Sequence, residues 1–333
     1  MGRAHEAPYP PGAIDVLLAA SIARRFYLEH RSKTEIADEF DVSRFKVARM
    51  LDAAVELGIV RIDITVPAKI DTEYSLALRE RFGLKYATVI DVGVDGQAVD
   101  GGEQMPRWLG AVAAQLISEI VDCGDVLGLS WGRSTDALCQ AITKLAPCEV
   151  VQLTGTHPNE WAGDESIAPV CRAGTVGGGT AYPIQAPLVV PNALTGSIVI
   201  KQPGIAAAVA RFDRITKAVV EIGAWSPTLS TVYDALTEPE RRGYRQRGVV
   251  GEVCGHLFDA DGRAITAGMD DRVISIEMAK LAKIPEVIAV AGGTGKADAI
   301  SAVLASGLLS GIITDVSAAR RMLSVDAIRG AAC

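Results

Sequence analysis

Disulfide and zinc chemistry have little to work with in this chain. Its six cysteines, Cys123, Cys139, Cys148, Cys171, Cys254 and Cys333, lie far apart with no Cys-x-x-Cys pair, and there are only four histidines. That spacing supplies neither a disulfide framework nor a metal site, so the thiols are expected to be reduced and buried, with no metal or cofactor. Long apolar runs are missing too. Stretches such as 287–291 and 205–210 fall far short of the roughly 20 residues a membrane helix needs, so no membrane partner is expected. Residues 1–12 hold three prolines and no apolar stretch, which reads as a disordered lead-in to a cytoplasmic protein rather than as a signal peptide.

What is present is ordinary globular composition, 49% hydrophobic and 22% charged, in 333 residues, about two domains' worth of chain. Charge separates the two parts. Residues 1–61 carry nine basic and nine acidic side chains, so the whole net charge of −7 falls on the remainder. Within the balanced part, residues 43–50 hold Arg44, Lys46 and Arg49 and no acid, a small cationic stripe on an acidic protein.

Apolar periodicity supplies the organisation. Ile14, Leu17, Leu18, Ile22 and Phe26 recur at three and four, one face of an amphipathic helix. Ser32 with Glu35 three residues on forms a capping box that opens a second short helix ending near Phe40. Asp41-Val42 makes a turn, and Ser43 caps a third helix that runs to about Leu57 and stops at Gly58. Three helices in about 45 residues, the last two separated by a tight turn, predict a helix-turn-helix. The alternation over 59–66 predicts a half-buried, wing-like strand. The domains expected are the lead-in 1–12, a helix-turn-helix head 13–66, a helical linker 67–86, and a larger domain 87–333.

From Ala87 onward short apolar runs at 87–92, 126–129, 150–153, 219–222, 287–291 and 311–314 alternate with helical patterns such as 108–121, 134–142 and 296–305. That alternation describes an α/β domain around a mostly parallel sheet.

Two groups of motifs then point to one family. The segment 34–51, from Thr34-Glu35-Ile36-Ala37 through Asp41-Val42-Ser43-Arg44-Phe45-Lys46-Val47, is followed by Gly58-Ile59-Val60 and resembles the DNA-binding head of the SorC family of sugar-binding transcriptional regulators. Gly128-Leu129-Ser130-Trp131-Gly132-Arg133-Ser134, Val151-Gln152-Leu153-Thr154-Gly155, Gly251-Glu252-Val253-Cys254-Gly255-His256 and Ala291-Gly292-Gly293-x-x-Lys296 match the second half in order. Asp41 departs from the glycine usual in such turns, although aspartate tolerates a left-handed backbone. The resemblance implies a ligand-responsive regulator with a C-terminal domain similar to sugar-phosphate isomerases and deaminases. It implies double-stranded operator DNA and a sugar, polyol or sugar phosphate as partners, and a homo-oligomer, dimer or tetramer.

Helical stepping along the third helix places Val47, Met50, Leu51 and Ala54 on one face, with Phe45 and Arg49 roughly opposite and Lys46 beside them. The candidate DNA contacts are therefore Ser43, Arg44, Phe45, Lys46 and Arg49, with Thr34 from the preceding helix. Arginine can bind guanine bidentately and an apolar ring can meet a thymine methyl.

The candidate effector contacts lie at the carboxyl ends of strands, where open α/β sheets bind ligands. Ser130, Gly132, Arg133 and Ser134 stand where a strand turns into a helix, and free N–H groups there attract a phosphate or sugar carboxylate. Gly155 and Thr156 follow another strand, and Lys296 would be a point cation, which the family resemblance turns toward the ligand. Gln185 and His256 complete the set. The Gly292–Lys296 loop lacks the first glycine and the final Ser/Thr of a nucleotide P-loop.

Two enzyme readings compete. Gly128-Leu129-Ser130-Trp131-Gly132 satisfies the G-x-S-x-G pattern of serine hydrolases, but His157 is too early in the chain for the usual base, His256 lies in a strand-like run, and no HGGG segment exists. A sugar-phosphate isomerase or deaminase would need a poised base, for which Asp259, Asp261 and His256 are the cluster to inspect. An attached helix-turn-helix makes sensing the more economical function, so no catalytic residue is expected.

Overall fold

The computed structural model describes residues 13–29, 31–60, 69–92, 104–156, 168–266 and 268–329, and the chain folds as two compact units, Met1–Val66 and Pro67–Cys333. The expected lead-in 1–12 lies outside the described residues, as does the wing-like strand from residue 61 onward.

The first unit is a trihelical head of α1 (Ala13–Tyr27), α2 (Lys33–Glu39) and α3 (Arg44–Glu56). Ser32 and Glu35 form the reciprocal capping box at α2, the Glu35 N–H donating to Ser32 Oγ and the Ser32 N–H to the Glu35 carboxylate. Asp41 holds the turn at φ 51°, the left-handed conformation, and Ser43 Oγ caps α3 by accepting from the Lys46 N–H at 3.2 Å. Ile22, Ile36, Val47 and Ala54 are completely buried and tie the three helices together. Leu17, expected on this face, is instead 69% exposed. Five residues before Ile22 it sits about 140° away around the helix, and Ala19 and Ala23 take the inner positions.

The second unit is built on an eight-stranded sheet in the order β1-β2-β11-β10-β6-β3-β4-β5. Its strands are β1 (Lys69–Ile70), β2 (Tyr86–Asp91), β3 (Val126–Leu129), β4 (Glu149–Gln152), β5 (Ala181–Tyr182), β6 (Lys217–Val220), β10 (Glu286–Val290) and β11 (Gly311–Asp315). All pairings are parallel except the short antiparallel edge β1–β2. A smaller antiparallel sheet joins β7 (Ile222–Ala224), β8 (Val249–Val253) and β9 (His256–Asp259), a hairpin the sequence reading missed.

Helices α5 (Met105–Ile120), α6 (Arg133–Ala141) and α7 (Ala168–Val176) bury Leu109, Ile117, Leu138 and Ala173 with Leu127, Val150 and Ile288, giving one of the two large cores of this unit. The other core gathers α4 (Thr72–Phe82), α9 (Pro203–Val209), α12 (Met278–Leu281), α13 (Ala297–Ala305) and α14 (Val316–Arg329) through Leu78, Ile205, Leu281, Ile300 and Met322. Helix α4, expected within a linker, thus buries Leu78 in the second unit's core. Helix α8 (Ala193–Val199) packs on the turn at 270–272, while α10 (Thr231–Ala235) and α11 (Glu238–Gln246) border the smaller sheet, where Tyr233 and Tyr244 each pack edge to face on Trp225.

One connection fixes where a ligand can sit. After β3 the chain moves outward to β4 and β5, then returns to lay β6 on the opposite side of β3. The loops leaving β3 and β6 therefore diverge, opening a crevice at the strands' carboxyl ends, the topological switch point of an open α/β sheet.

Helix α11 is moored by Glu240. Its carboxylate accepts from the Thr237 backbone N–H and hydroxyl at its own N-terminus and pairs with Arg272 at 2.6 Å, while Arg272 also donates to the Val190 carbonyl. The Thr237 hydroxyl and Arg272 hold this carboxyl down at about 2. A depressed folded-state pKa contributes stability that is present above the unfolded value of 4.5 and is lost as pH falls toward 2. Glu240→Gln is expected to lower stability at pH 7 by roughly 1 kcal/mol, because solvent reaches the partly exposed Glu240–Arg272 pair and weakens it. Urea unfolding should show that deficit narrowing steadily below pH 4.5.

Candidate functional site

The crevice at the switch point is a cavity of about 600 Å³. The loop after β3 contributes Ser130 to Arg133 and the segment after β4 contributes Thr154 and Gly155. Glu221 enters from between β6 and β7, Ser230 and Asp234 from the start of α10, Glu252 and Cys254 from β8 and its turn, and Lys296 from the turn before α13. Trp131 N–H donates to Thr154 Oγ1 at 3.0 Å, which joins the β3 and β4 loops.

Glu221 organises the floor. It is the single residue between β6 of the large sheet and β7 of the small one, so its backbone is fixed from both sides; its own N–H donates to Ser130 Oγ at 3.0 Å. Its Oε1 accepts from the N–H groups of Ser134 (2.5 Å) and Thr135 (2.9 Å), the first turn of α6. A Cβ built at Gly132 would meet the Glu221 carboxylate at 2.3–2.7 Å, so the carboxylate occupies the space that the missing side chain of Gly132 leaves open. Helix α6 begins at Arg133, earlier than the Ser134-led start expected, and its cap comes from this carboxylate across the fold.

Glu252 is the second acid, 7% exposed. It accepts from the Ser230 hydroxyl and the Gly255 N–H, each at 3.1 Å. Burial pushes both carboxyls up, against the pull of Lys296 and the amide donors. Burial pushes the Lys296 ammonium down, and Glu221 pulls it back up. A cation and two acids that shift one another, all lining one cavity, are the pattern that marks functional sites. Burial also raises the Cys254 thiol, which leaves it a protonated and unreactive wall.

Of the residues singled out from sequence, Ser130, Gly132, Arg133, Gly155 and Lys296 line this cavity. Ser134 lies behind it, 5% exposed, and the amides expected to meet a ligand anion donate to Glu221 instead. Thr156 is fully buried, its hydroxyl turned to the Ala186 carbonyl, and Gln185 is exposed and outside the lining. His256 donates from Nε2 to the Ile276 carbonyl at 2.8 Å beside a separate, smaller cavity of about 190 Å³. Asp259 accepts from the N–H groups of Asp261 and Arg263 in an exposed turn, so that cluster is turn chemistry rather than a poised base. Glu221, Glu252, Ser230 and Asp234 were missed. A signal existed for the first: a carboxylate interrupts the apolar run Val219-Val220-Glu221-Ile222.

On the head, Val47, Leu51 and Ala54 of α3 face the core, while Ser43, Arg44, Lys46 and Arg49 are exposed and Phe45 is 83% exposed. Thr34 is exposed near the start of α2. No single helix among the described residues is long and apolar enough to cross a membrane, and no His/Cys/Asp/Glu group among them could hold a metal ion.

Residues 66–324 match the family model described as "Putative sugar-binding domain". The chain is 27% identical over 308 residues to the uncharacterized transcriptional regulator YjhU of Escherichia coli K12, covering 90% of this chain and 92% of that one. It is 26% identical over 320 residues to the deoxyribonucleoside regulator of Bacillus subtilis, covering 92% and 97%. In fold it is similar to the full-length sorbitol operon regulator SorC of Klebsiella pneumoniae, with a TM-score of 0.66 at 22% identity, over 93% of this chain and 100% of that one.

Proposed function

The chain belongs to the SorC family of sugar-binding transcriptional regulators, and on that premise we propose that it binds operator DNA through α3 and is switched by a sugar or polyol, free or phosphorylated, held in the switch-point cavity. The observation that carries the reading is the joint presence of a helix-turn-helix head and a roomy polar cavity at the carboxyl ends of β3, β4 and β6. The regulator names of its relatives support the same reading. Arg44, Phe45, Lys46 and Arg49, with Ser43 and Thr34 beside them, form the DNA face. A single α3 reads one half-site, so the regulator works as a symmetric homo-oligomer that pairs two of them. Thermal unfolding with a panel of sugars, polyols and their phosphates tests the sensor: a true ligand at 100 times its Kd stabilises by about 2.7 kcal/mol. A panel that leaves Tm unmoved, every member included, counts against it.

The protein senses rather than turns over its ligand. Ser130 Oγ is occupied by the Glu221 N–H, and His256, the one histidine among the described residues, lies outside the cavity. Among the described residues no histidine lines the cavity to activate the serine. Ester substrates are therefore expected to give neither burst nor turnover, in the parent or in Ser130→Ala. A Ser130-dependent acyl adduct seen by mass spectrometry would overturn this.

A further inference from the structure

We propose that Glu221 is a built-in substitute for a ligand phosphate, so that this cavity takes an unphosphorylated, polyhydroxylated effector and excludes phosphate esters at the α6 end. The inference rests on the sugar-sensing reading of the cavity and narrows its ligand class.

Three observations carry it. First, the amide donors that a phosphate would use at the start of α6, those of Ser134 and Thr135, are already spent on Glu221 Oε1. Second, Glu221 is anchored at its backbone, directly beneath the start of α6. Its backbone is held between β6 and β7, its N–H is bonded to Ser130, and Gly132 packs directly against its carboxyl group. Third, the cavity already holds three carboxylates, Glu221, Asp234 and Glu252, against two cations, Arg133 and Lys296. A phosphate dianion entering there meets like charge where it needs donors. Sugar hydroxyls meet the reverse situation, because carboxylates are strong acceptors for O–H donors, and Lys296 and Arg133 supply donors for the sugar oxygens. The cations have work without an anionic ligand, since Lys296 lines the same cavity as Glu221 and Glu252 and favours their charged forms.

The geometry makes an unusual prediction: deleting an acid should create an anion site. With Glu221→Ala the two α6 amides become free beside Arg133 and Lys296, a donor set suited to phosphate. Thermal unfolding of the full chain in inorganic phosphate, against sodium chloride at matched ionic strength, reads this directly. The parent should show no phosphate-specific shift, and Glu221→Ala a rise of roughly 2–4 °C. Glu221→Gln, which keeps an acceptor oxygen over the amides, serves if the alanine variant does not fold; loss of the charge alone should give a smaller rise in the same direction. A phosphate-specific shift in the parent equal to that in the variants, or none in any of the three proteins, overturns the inference. A second arm compares ribose, fructose and sorbitol, each with its phosphate ester, on the parent. Stabilisation by a free compound but not by its ester supports the inference. Stabilisation by the ester alone overturns it and leaves the sugar-sensing reading standing. Failure of every compound weighs against the sugar reading, and the inorganic phosphate arm still decides the role of Glu221.

Discussion

Arg49→Ala is expected to weaken operator binding by roughly 1–3 kcal/mol, about 5- to 150-fold at fixed salt, without unfolding the head. Arg49 lies one helical turn after Phe45 on the exposed face of α3, opposite the buried Val47, Leu51 and Ala54. Truncating it removes no core contact, and an exposed helix position of this kind ordinarily changes stability by no more than about 0.5 kcal/mol. Its guanidinium can pair bidentately with a guanine edge, so its loss should relax sequence preference at one position of the half-site. Lys46→Ala provides the contrast. A lysine on the same face acts on phosphates, so its loss should weaken binding across all sequences and lower the salt-dependence slope by about one unit. Titration of labelled operator and scrambled DNA with parent and variants separates the two. Parent-like specific affinity in a folded Arg49→Ala protein would remove α3 from the recognition role.

The head was legible in the sequence because its signals are local. Ser32 with Glu35, Ser43 as a cap and the 3.6-residue spacing of Val47, Leu51 and Ala54 act within one or two turns, and the structure contains each of them. Even Asp41, the departure from a turn glycine, adopts the left-handed backbone expected of it. The parallel strands were legible for a similar reason: buried on both faces, they read as continuous apolar runs. The cavity was only half legible. Glycine loops at strand ends mark where a ligand can approach, and that placed Gly132 and Gly155; the family resemblance turned Lys296 to the same place. What fills the α6 terminus is decided by Glu221, 87 residues beyond Ser134 in the chain, through a crossover that no local pattern encodes. The hairpin of β8 and β9 failed for another reason. Its turn at Cys254-Gly255 carries two left-handed residues, one of them a cysteine, which is no standard turn signal.

Ligand and DNA are expected to be coupled reciprocally, and Lys296 should separate the two bindings. An effector can change operator affinity only by as much as it discriminates between DNA-competent and DNA-incompetent arrangements, typically about 1–3 kcal/mol or 5- to 150-fold. By linkage, operator DNA must then shift effector affinity by the same factor and in the same direction. Lys296 lines the same cavity as Glu221 and Glu252, and it belongs to the second unit, not to the head. Removing it takes away a charged donor and leaves two carboxyls short of a counter-charge. Lys296→Ala should therefore weaken effector binding by roughly 1.5–3 kcal/mol while DNA affinity without effector stays near the parent value. Lys296→Arg, which keeps the charge but changes its shape and reach, should fall between them. Titrating the effector with and without operator DNA, for parent and both variants, measures all four legs of the cycle. If a tightly bound sugar leaves operator affinity untouched in the parent, the cavity is not a sensor. In that case an enzyme carrying a DNA-binding head becomes the better account of the buried Glu221 and Glu252 carboxyls.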